Sequence, residues 1–401
     1  MRHYKYLIIG GGMTAAAAVK GIREVDRTGS VGLISAESDP PYARPPLSKG
    51  LWKGERPSSI WLMPKRTRVK VHLDRVVTEI NPAKRRILDD KGEVYSYSRL
   101  LLATGGRPRH LPFGHGQIIY YRTRSDYQRL RLLTKKGRTF AVIGAGFIGS
   151  EIAAALALNH KKVVMIFPGK DIGSRVFPKD LSRFVSGYYK KRGVQLLAGE
   201  EITEMEAHGG QSVLKLKKSR DIVVDGVVAG IGIEPNVELA KSMGLKINDG
   251  IVVDEFLRTS HPHIYAAGDV AAFHNPALGK RIRVEHEDNA NTMGEVVGRN
   301  MAGKAESYRH LPFFYSDMFD LGYEAVGEID SRLKTIADRT RPYKEGVIYY
   351  LKNGRVRGVL LWNVWNQVEA ARHLISESGP FSGKNLKGRL PEEPLSANPG
   401  K

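Results

Sequence analysis

The stretch Leu7-Ile8-Ile9-Gly10-Gly11-Gly12-Met13-Thr14-Ala15 decides the reading of this chain: an apolar strand runs into a glycine turn and then into an alanine-rich helix. In such a turn the first glycine permits the tight bend, the second lets the backbone approach a pyrophosphate, and the third position brings helix and strand together. Ala15 fills that third position as a small-residue variant. The same grammar returns 134 residues later, where Phe140-Ala141-Val142-Ile143 leads into Gly144-Ala145-Gly146-Phe147-Ile148-Gly149. A helix from Ser150 to about Asn159 and a strand from Val163 to Phe167 come next. One such turn also serves plain packing; two, each between strand and helix, point to two dinucleotide-binding βαβ units.

Working outward, an acid is expected about 20 residues after the glycines to hydrogen-bond a ribose, and Glu37 stands at the end of the second strand, read over 31–36. The second unit ends Phe167-Pro168-Gly169-Lys170 with no acid, and Arg175 lies shortly beyond. That absence leans toward a 2′-phosphate and NADPH over NADH; the alternative is that Lys170 and Arg175 are solvated surface charges. Between the units lies Pro40-Pro41-Tyr42-Ala43-Arg44-Pro45-Pro46-Leu47-Ser48-Lys49, whose prolines make a stiff loop suited to aiming side chains. Leu100 to Gly106 and Ile264 to Asp269 read as two more apolar strands ending in glycine. Beyond about residue 308 the pattern changes to short strands (325–329, 346–351, 358–362) and a helix over 367–375.

With 401 residues the chain is too long for one core. Its 41% hydrophobic and 26% charged residues describe a soluble globular protein. No run approaches the roughly 18 apolar residues of a membrane span. No signal-peptide pattern precedes the first strand, so the cytoplasm is the expected compartment. The formal charge of +21 implies an acidic macromolecular partner, nonspecific attraction to nucleic acid or lipid headgroups, or a solubility device. Its basic residues are scattered (Lys65-Arg66-Thr67-Arg68, Lys84-Arg85-Arg86, Lys135-Lys136, Lys190-Lys191-Arg192), with no nucleic-acid-reading module around them. The absence of cysteine excludes disulfides, Cys-ligated metal, iron–sulfur clusters and a thiol nucleophile. Electrons must therefore travel through a bound cofactor, and no metal site is expected.

Several further stretches carry a resemblance: Pro41 to Lys49, Ala103-Thr104-Gly105-Gly106-Arg107-Pro108-Arg109, Glu234 to Ala240, Ala267-Gly268-Asp269, Arg283-Val284-Glu285-His286, Gly322-Tyr323-Glu324-Ala325-Val326-Gly327 and Leu361-Trp362-Asn363. From about residue 5 to 376 the chain resembles the FAD-dependent pyridine-nucleotide oxidoreductases of the ferredoxin/rubredoxin reductase type, and looks closest to their apoptosis-inducing factor branch. The resemblance implies FAD across Gly10, Gly11, Gly12, Met13 and Thr14, with Glu37 on the ribose and Val77 and Arg122 near the adenosine and phosphates. It further implies Arg44 and Lys49 along the flavin, Asp269 on the ribityl–pyrophosphate stretch, and His286 and Glu287 beside the isoalloxazine ring. The nicotinamide nucleotide would use Ala145, Gly146, Phe147, Ile148, Glu151, Gly232 and Glu285, with Phe147 shielding or stacking near the nicotinamide. Lys49 and Glu151 would be the catalytic pair, a cation near flavin N5 held by a carboxylate.

Three departures from the pattern matter. Tyr315, in Phe314-Tyr315-Ser316-Asp317, replaces the family's tryptophan; Gly169 replaces an acid; and a long insertion of the animal proteins is missing between Arg332 and Gly346. The expected fold is α/β: two Rossmann-like domains for FAD (1–126 and 253–308) and NAD(P) (127–252), of the pyridine nucleotide-disulfide oxidoreductase kind. A C-terminal α+β domain (309–376) and a loosely ordered tail (377–401) complete it. The expected function is NAD(P)H oxidation through FAD toward ferredoxin, rubredoxin, quinone or oxygen, by a monomer or homodimer. The alternative is a redox sensor with slow turnover, a charge-transfer complex, dimerisation and nucleic-acid binding.

Overall fold

The computed structural model describes residues 1–63 and 68–390. The basic run at Lys65 to Thr67 and the end of the expected tail, 391–401, lie outside the described residues. Contacts divide the chain into two compact units: Met1–Arg44, Arg56–Arg107 and Ile233–Pro312 form the first, and Pro45–Glu55, Pro108–Gly232 and the chain from Phe313 onward form the second.

In the first unit the strands Val69–His72, Val31–Ile34, Arg2–Ile9, Val94–Leu102 and Ile264–Ala266 lie side by side, all parallel. The stretches 6–9, 31–34, 100–102 and 264–266 are apolar and buried, as a parallel sheet covered on both faces requires. Register puts Ile34, Ile9, Leu102 and Ala266 in one row. Glu37, the Gly10 turn, Ala103 and Asp269, each just past the carboxyl end of its strand, therefore emerge along one edge. The helices Met13–Val25 and Glu287–Met301 pack through glycine. A Cβ on Gly294 would sit 2.7 Å from the Thr14 carbonyl oxygen, and one on Gly298 2.2 Å from that of Ala18. Both contact sets advance in the same chain direction, so the helices run parallel. Seven residues of the later helix precede Gly294, so its amino end projects about 10 Å past Thr14. Residues 233–252 go with this unit, because Val237, Ala240, Leu245 and Ile251 are buried in its core.

The second unit holds a second parallel sheet, ordered Val194–Ala198, Lys162–Phe167, Thr139–Ile143, Gly226–Ala229, Ile118–Tyr120. Its carboxyl edge carries the Gly144 turn, Gly169 and Lys170, Gly230 to Gly232, and Arg122. A five-stranded antiparallel sheet, ordered Phe313–Met318, Leu321–Gly327, Arg355–Trp362, Glu345–Lys352, Lys334–Arg341, packs with the helix Val368–Ser376. The strands read over 346–351 and 358–362 are present and somewhat longer, and the one read over 325–329 starts earlier and ends at Gly327. Two more, Phe313–Met318 and the charged edge strand Lys334–Arg341, escaped that reading because neither alternates cleanly. The start of the expected loose tail is packed instead: Gly383–Leu386 is helical, Leu386 and Leu390 are buried, and the Gly388 N–H donates to Asp338. Two leucines at spacing four were too weak a period to announce this. Among the described residues no helix is long and apolar enough to cross a membrane.

Candidate functional site

The two glycine turns assign each glycine a separate physical task. Gly10 has φ +125° and its Cβ would lie 2.1 Å from the Ala103 carbonyl oxygen; Gly144 has φ +101° and its Cβ would lie 2.5 Å from that of Gly230. Both positions therefore need glycine for the bend. At the third position Ala15 is fully buried, and a Cβ on Gly149 would meet the Gly144 oxygen at 2.2 Å, so helix and strand are in contact there. At the middle position the protein leaves room: a Cβ on Gly12 or on Gly146 meets nothing within 4 Å. Neither adjoining helix has an acid in its first turn or a side-chain cap on its N–H groups. Both cradles fit a pyrophosphate.

Around the first cradle Met13 and Thr14 are buried, and Gly268 approaches so closely that a Cβ would lie 2.3 Å from Thr14 Oγ1, which sets Asp269 beside the turn. Glu37 is held from two sides: Tyr42 Oη donates to its Oε2 at 2.6 Å and Arg44 Nη2 to its Oε1 at 2.5 Å. Each oxygen keeps a lone pair for a further donor. Val77 begins a hairpin strand with its side chain in the core, which leaves only its backbone to face a ligand. His286 caps the helix Glu287–Met301, with Glu287 in the first turn. Desolvation pushes the His286 imidazole down to about 4, against the pull of Asp269 and Asp288, so it is neutral at physiological pH. Glu285, expected with the nicotinamide nucleotide, belongs to this unit and accepts from Arg283 Nη1 at 2.6 Å.

Around the second cradle the stiff loop splits between the units: Arg44 stays with the first, while Ser48 and Lys49 join the second. There the loop is anchored by Trp52, whose Nε1 donates to the Leu47 carbonyl at 2.8 Å, and by Tyr121, whose hydroxyl donates to the same oxygen at 2.5 Å. Arg131 stacks on the Trp52 ring at 4.9 Å. So fixed, Lys49 Nζ reaches Glu151 Oε1 at 2.8 Å and lies 5.0 Å from the Tyr315 ring centroid. Glu151, on the second glycine helix, is only 3% exposed. Two groups absent from the expected set complete it: Ser48 Oγ donates to Oε2 at 2.5 Å and Ser316 Oγ to Oε1 at 2.6 Å. No local pattern in the sequence marks either serine as a donor to a glutamate so distant along the chain.

The Phe147 ring packs on Phe314, centroids 4.9 Å apart. Ala145 and Gly146 line the turn, and Ile148 is exposed. Gly232 has φ +93° and its carbonyl accepts the Arg109 N–H at 3.0 Å. Lys170 and Arg175 are exposed at the end of the strand Lys162–Phe167. Arg122 lies in this unit, where its backbone N–H donates to Asp126 at 3.1 Å. Among the described residues no cluster of side chains could hold a metal ion.

Comparison with known proteins agrees with this geometry. The family model for pyridine nucleotide-disulphide oxidoreductases matches residues 4–294, and that for the C-terminal region of mitochondrion-associated apoptosis-inducing factor matches 297–338 and 337–377. Apoptosis-inducing factor 1, mitochondrial, of Dictyostelium discoideum is 34% identical, covering 94% of this chain and 79% of that protein. The ferredoxin–NAD(+) reductase component of the anthranilate 1,2-dioxygenase system of Burkholderia cepacia is 31% identical, over 92% and 94%. The crystal structure of the covalent putidaredoxin reductase–putidaredoxin complex superposes with a TM-score of 0.87 at 28% identity, over 95% and 94%. With two pyrophosphate cradles, a buried glutamate paired with Lys49 and no cysteine, the chain belongs to the pyridine nucleotide-disulphide oxidoreductase family and is one of its FAD- and NAD(P)H-dependent members.

Proposed function

We propose that the chain takes hydride from NAD(P)H and delivers electrons to a small acidic electron carrier of the ferredoxin or rubredoxin type, with quinone or oxygen as lesser acceptors. When bound, FAD supplies a ring that accepts a hydride and releases electrons singly. The observation that carries the reading is the ion pair between Lys49 of the proline loop and Glu151, buried on the second glycine helix, in a chain without any thiol. In this reading Lys49 presents a fixed positive charge to the flavin N5 region, Glu151 keeps the ammonium in place, and Glu37, oriented by Tyr42 and Arg44, takes the adenosine ribose. Lys170 and Arg175, exposed with no acid at Gly169, favour NADPH. The charge of +21 suits an acidic partner, since opposite potentials steer encounter. Relatives named as ferredoxin reductases support the same partner class. A three-domain division belongs to this proposal, with residues 233–252 counted with the FAD domain in whose core they pack and a C-terminal domain at 309–376, as does residence in the cytoplasm.

The C-terminal match and the same charge favour a second reading, a redox sensor that turns over slowly, forms a long-lived charge-transfer complex, dimerises and binds nucleic acid. Anaerobic mixing of the yellow protein with NADPH or NADH separates the two. Rapid bleaching and then turnover with a ferredoxin are expected. Slow bleaching, a persistent long-wavelength band and salt-sensitive DNA retention would replace the reductase by the sensor. No bleaching with either nucleotide would end both.

A further inference from the structure

The Glu151 carboxylate receives one cation and two hydroxyls, and the two hydroxyls have no part in the function proposed above. A buried carboxylate with Lys49 as its single donor would leave Oε2 bare, and the terminal torsion of glutamate is broad and roughly twofold. Either oxygen would then face the ammonium, and the ammonium would shift with it. Ser48 and Ser316 remove that freedom by donating to different oxygens, at 2.5 and 2.6 Å. They reach Glu151 from separate segments. Ser48 adjoins Lys49 in the anchored loop, and Ser316 lies on the strand Phe313–Met318 next to Tyr315, whose ring flanks the same ammonium. Ser48 has one competing acceptor, the Pro45 carbonyl at 3.4 Å, which is much the weaker contact. Ser316 is fully buried, so no water competes for its proton.

We propose that Ser48 and Ser316 are positioning residues: together they lock the Glu151 carboxylate in one orientation, and through it they hold the Lys49 ammonium at one point. The inference rests on the reductase reading for what the ammonium does, and on the hydrogen bonds alone for how it is held. Ser316 also joins the place of the ammonium to the strand that carries Tyr315. Displacement of that strand should therefore move the charge.

The test uses FAD-loaded full-length protein and the variants Ser48→Ala, Ser316→Ala, the double variant, Glu151→Gln, and Glu151→Gln combined with the double variant. Each single serine variant should slow the limiting rate of flavin reduction about tenfold. The NAD(P)H concentration for half-saturation should stay within about twofold. Added to Glu151→Gln, the serine changes should cost nothing more, because all act through one carboxylate. Ser316→Thr, which keeps the hydroxyl, should recover most of the rate, and Ser48→Thr serves if the buried strand rejects the methyl. The flavin midpoint potential, measured by chemical reduction without nucleotide, should move in the double variant in the same direction as in Lys49→Ala. A double variant with wild-type rate and potential overturns the proposal, as do effects fully additive with Glu151→Gln. If the wild type is not reduced by nucleotide, the reductase reading fails while the potential still decides whether the serines hold the ammonium.

Discussion

The two glycine turns share one backbone plan and differ in what stands at the end of the next strand. After the first, Glu37 is pinned by Tyr42 and Arg44, with both oxygens engaged and oriented. After the second, Gly169 carries no side chain and two exposed bases lie just beyond it. A pinned acid can recognise only a free ribose, because its charge repels a phosphate; exposed bases without one tolerate or favour the phosphate. Pyrophosphate binding is thus a property of the turn, and nucleotide identity a property of its shell.

The sharpest way to break the comparison is to separate bend from approach within one turn. Gly144→Ala forces a side chain into φ +101° and against the Gly230 oxygen. It should lose about 3 kcal/mol of stability, seen as a lowered melting temperature of the apoprotein. Gly146→Ala meets no protein atom within 4 Å. It should melt like the wild type yet bind NAD(P)H about tenfold or more weakly in a fluorescence titration. An unchanged affinity would place the pyrophosphate elsewhere.

Lys49→Ala leaves the Glu151 carboxylate buried with only its two serine donors. It should destabilise the protein by about 2 kcal/mol, below the roughly 3–5 kcal/mol typical of a stranded partner, and slow flavin reduction with FAD retained. Reduction at the wild-type rate in stopped flow would remove the pair from the mechanism. A smaller effect sharpens the contrast between the shells. Gly169→Glu brings its Cβ to a tight 3.2 Å from Ser174 Oγ, which a small shift of that side chain relieves, and should swing the kcat/KM ratio toward NADH. Lys170→Ala with Arg175→Ala should weaken NADPH about tenfold and leave NADH nearly unchanged. Equal losses for both nucleotides would make those bases general surface charge.

The smallest effect contrasts the buried Glu151 with the half-buried Glu324 of the second unit. Glu151 has every oxygen met, whereas Glu324 Oε2 is buried without a hydrogen-bond partner among the described residues. Desolvation pushes the Glu324 carboxyl up to about 7, with Arg372 opposing. Its folded pKa lies above the unfolded value near about 4.3, so between about pH 4.5 and 7 the folded state binds the extra proton. Stability contributed by this group is present below that window and lost as pH rises through it. Glu324→Gln should therefore raise the melting temperature by about 2 °C at about pH 8 and by nothing at about pH 4.5. A pH-independent difference would refute the assignment.

The two βαβ units, the acid Glu37 after the second strand and the proline-rich loop were legible from sequence, because turn and strand chemistry are local. Ser48 and Ser316 were not, since nothing local marks a serine as the donor to a glutamate 103 or 165 residues away. Val77, which the resemblance sets near the adenosine, has its side chain in the core, so that only its backbone is left for such a contact. Residues 233–252 read as a continuation of the second unit, yet their apolar side chains found the core of the first.

By itself the sequence determined that this chain carries two pyrophosphate turns and no sulfur chemistry, because glycine at positive φ, strand alternation and the absence of cysteine need no distant partner to be read. Only the tertiary structure decided that the proline loop divides after Arg44. It alone showed that Lys49 is presented from a Trp52- and Tyr121-anchored turn, and that two segments, this loop and the strand of Ser316, bring three donors to Glu151. A buried charge is tolerated only where distant donors meet it, and where those donors come from is settled when the chain packs.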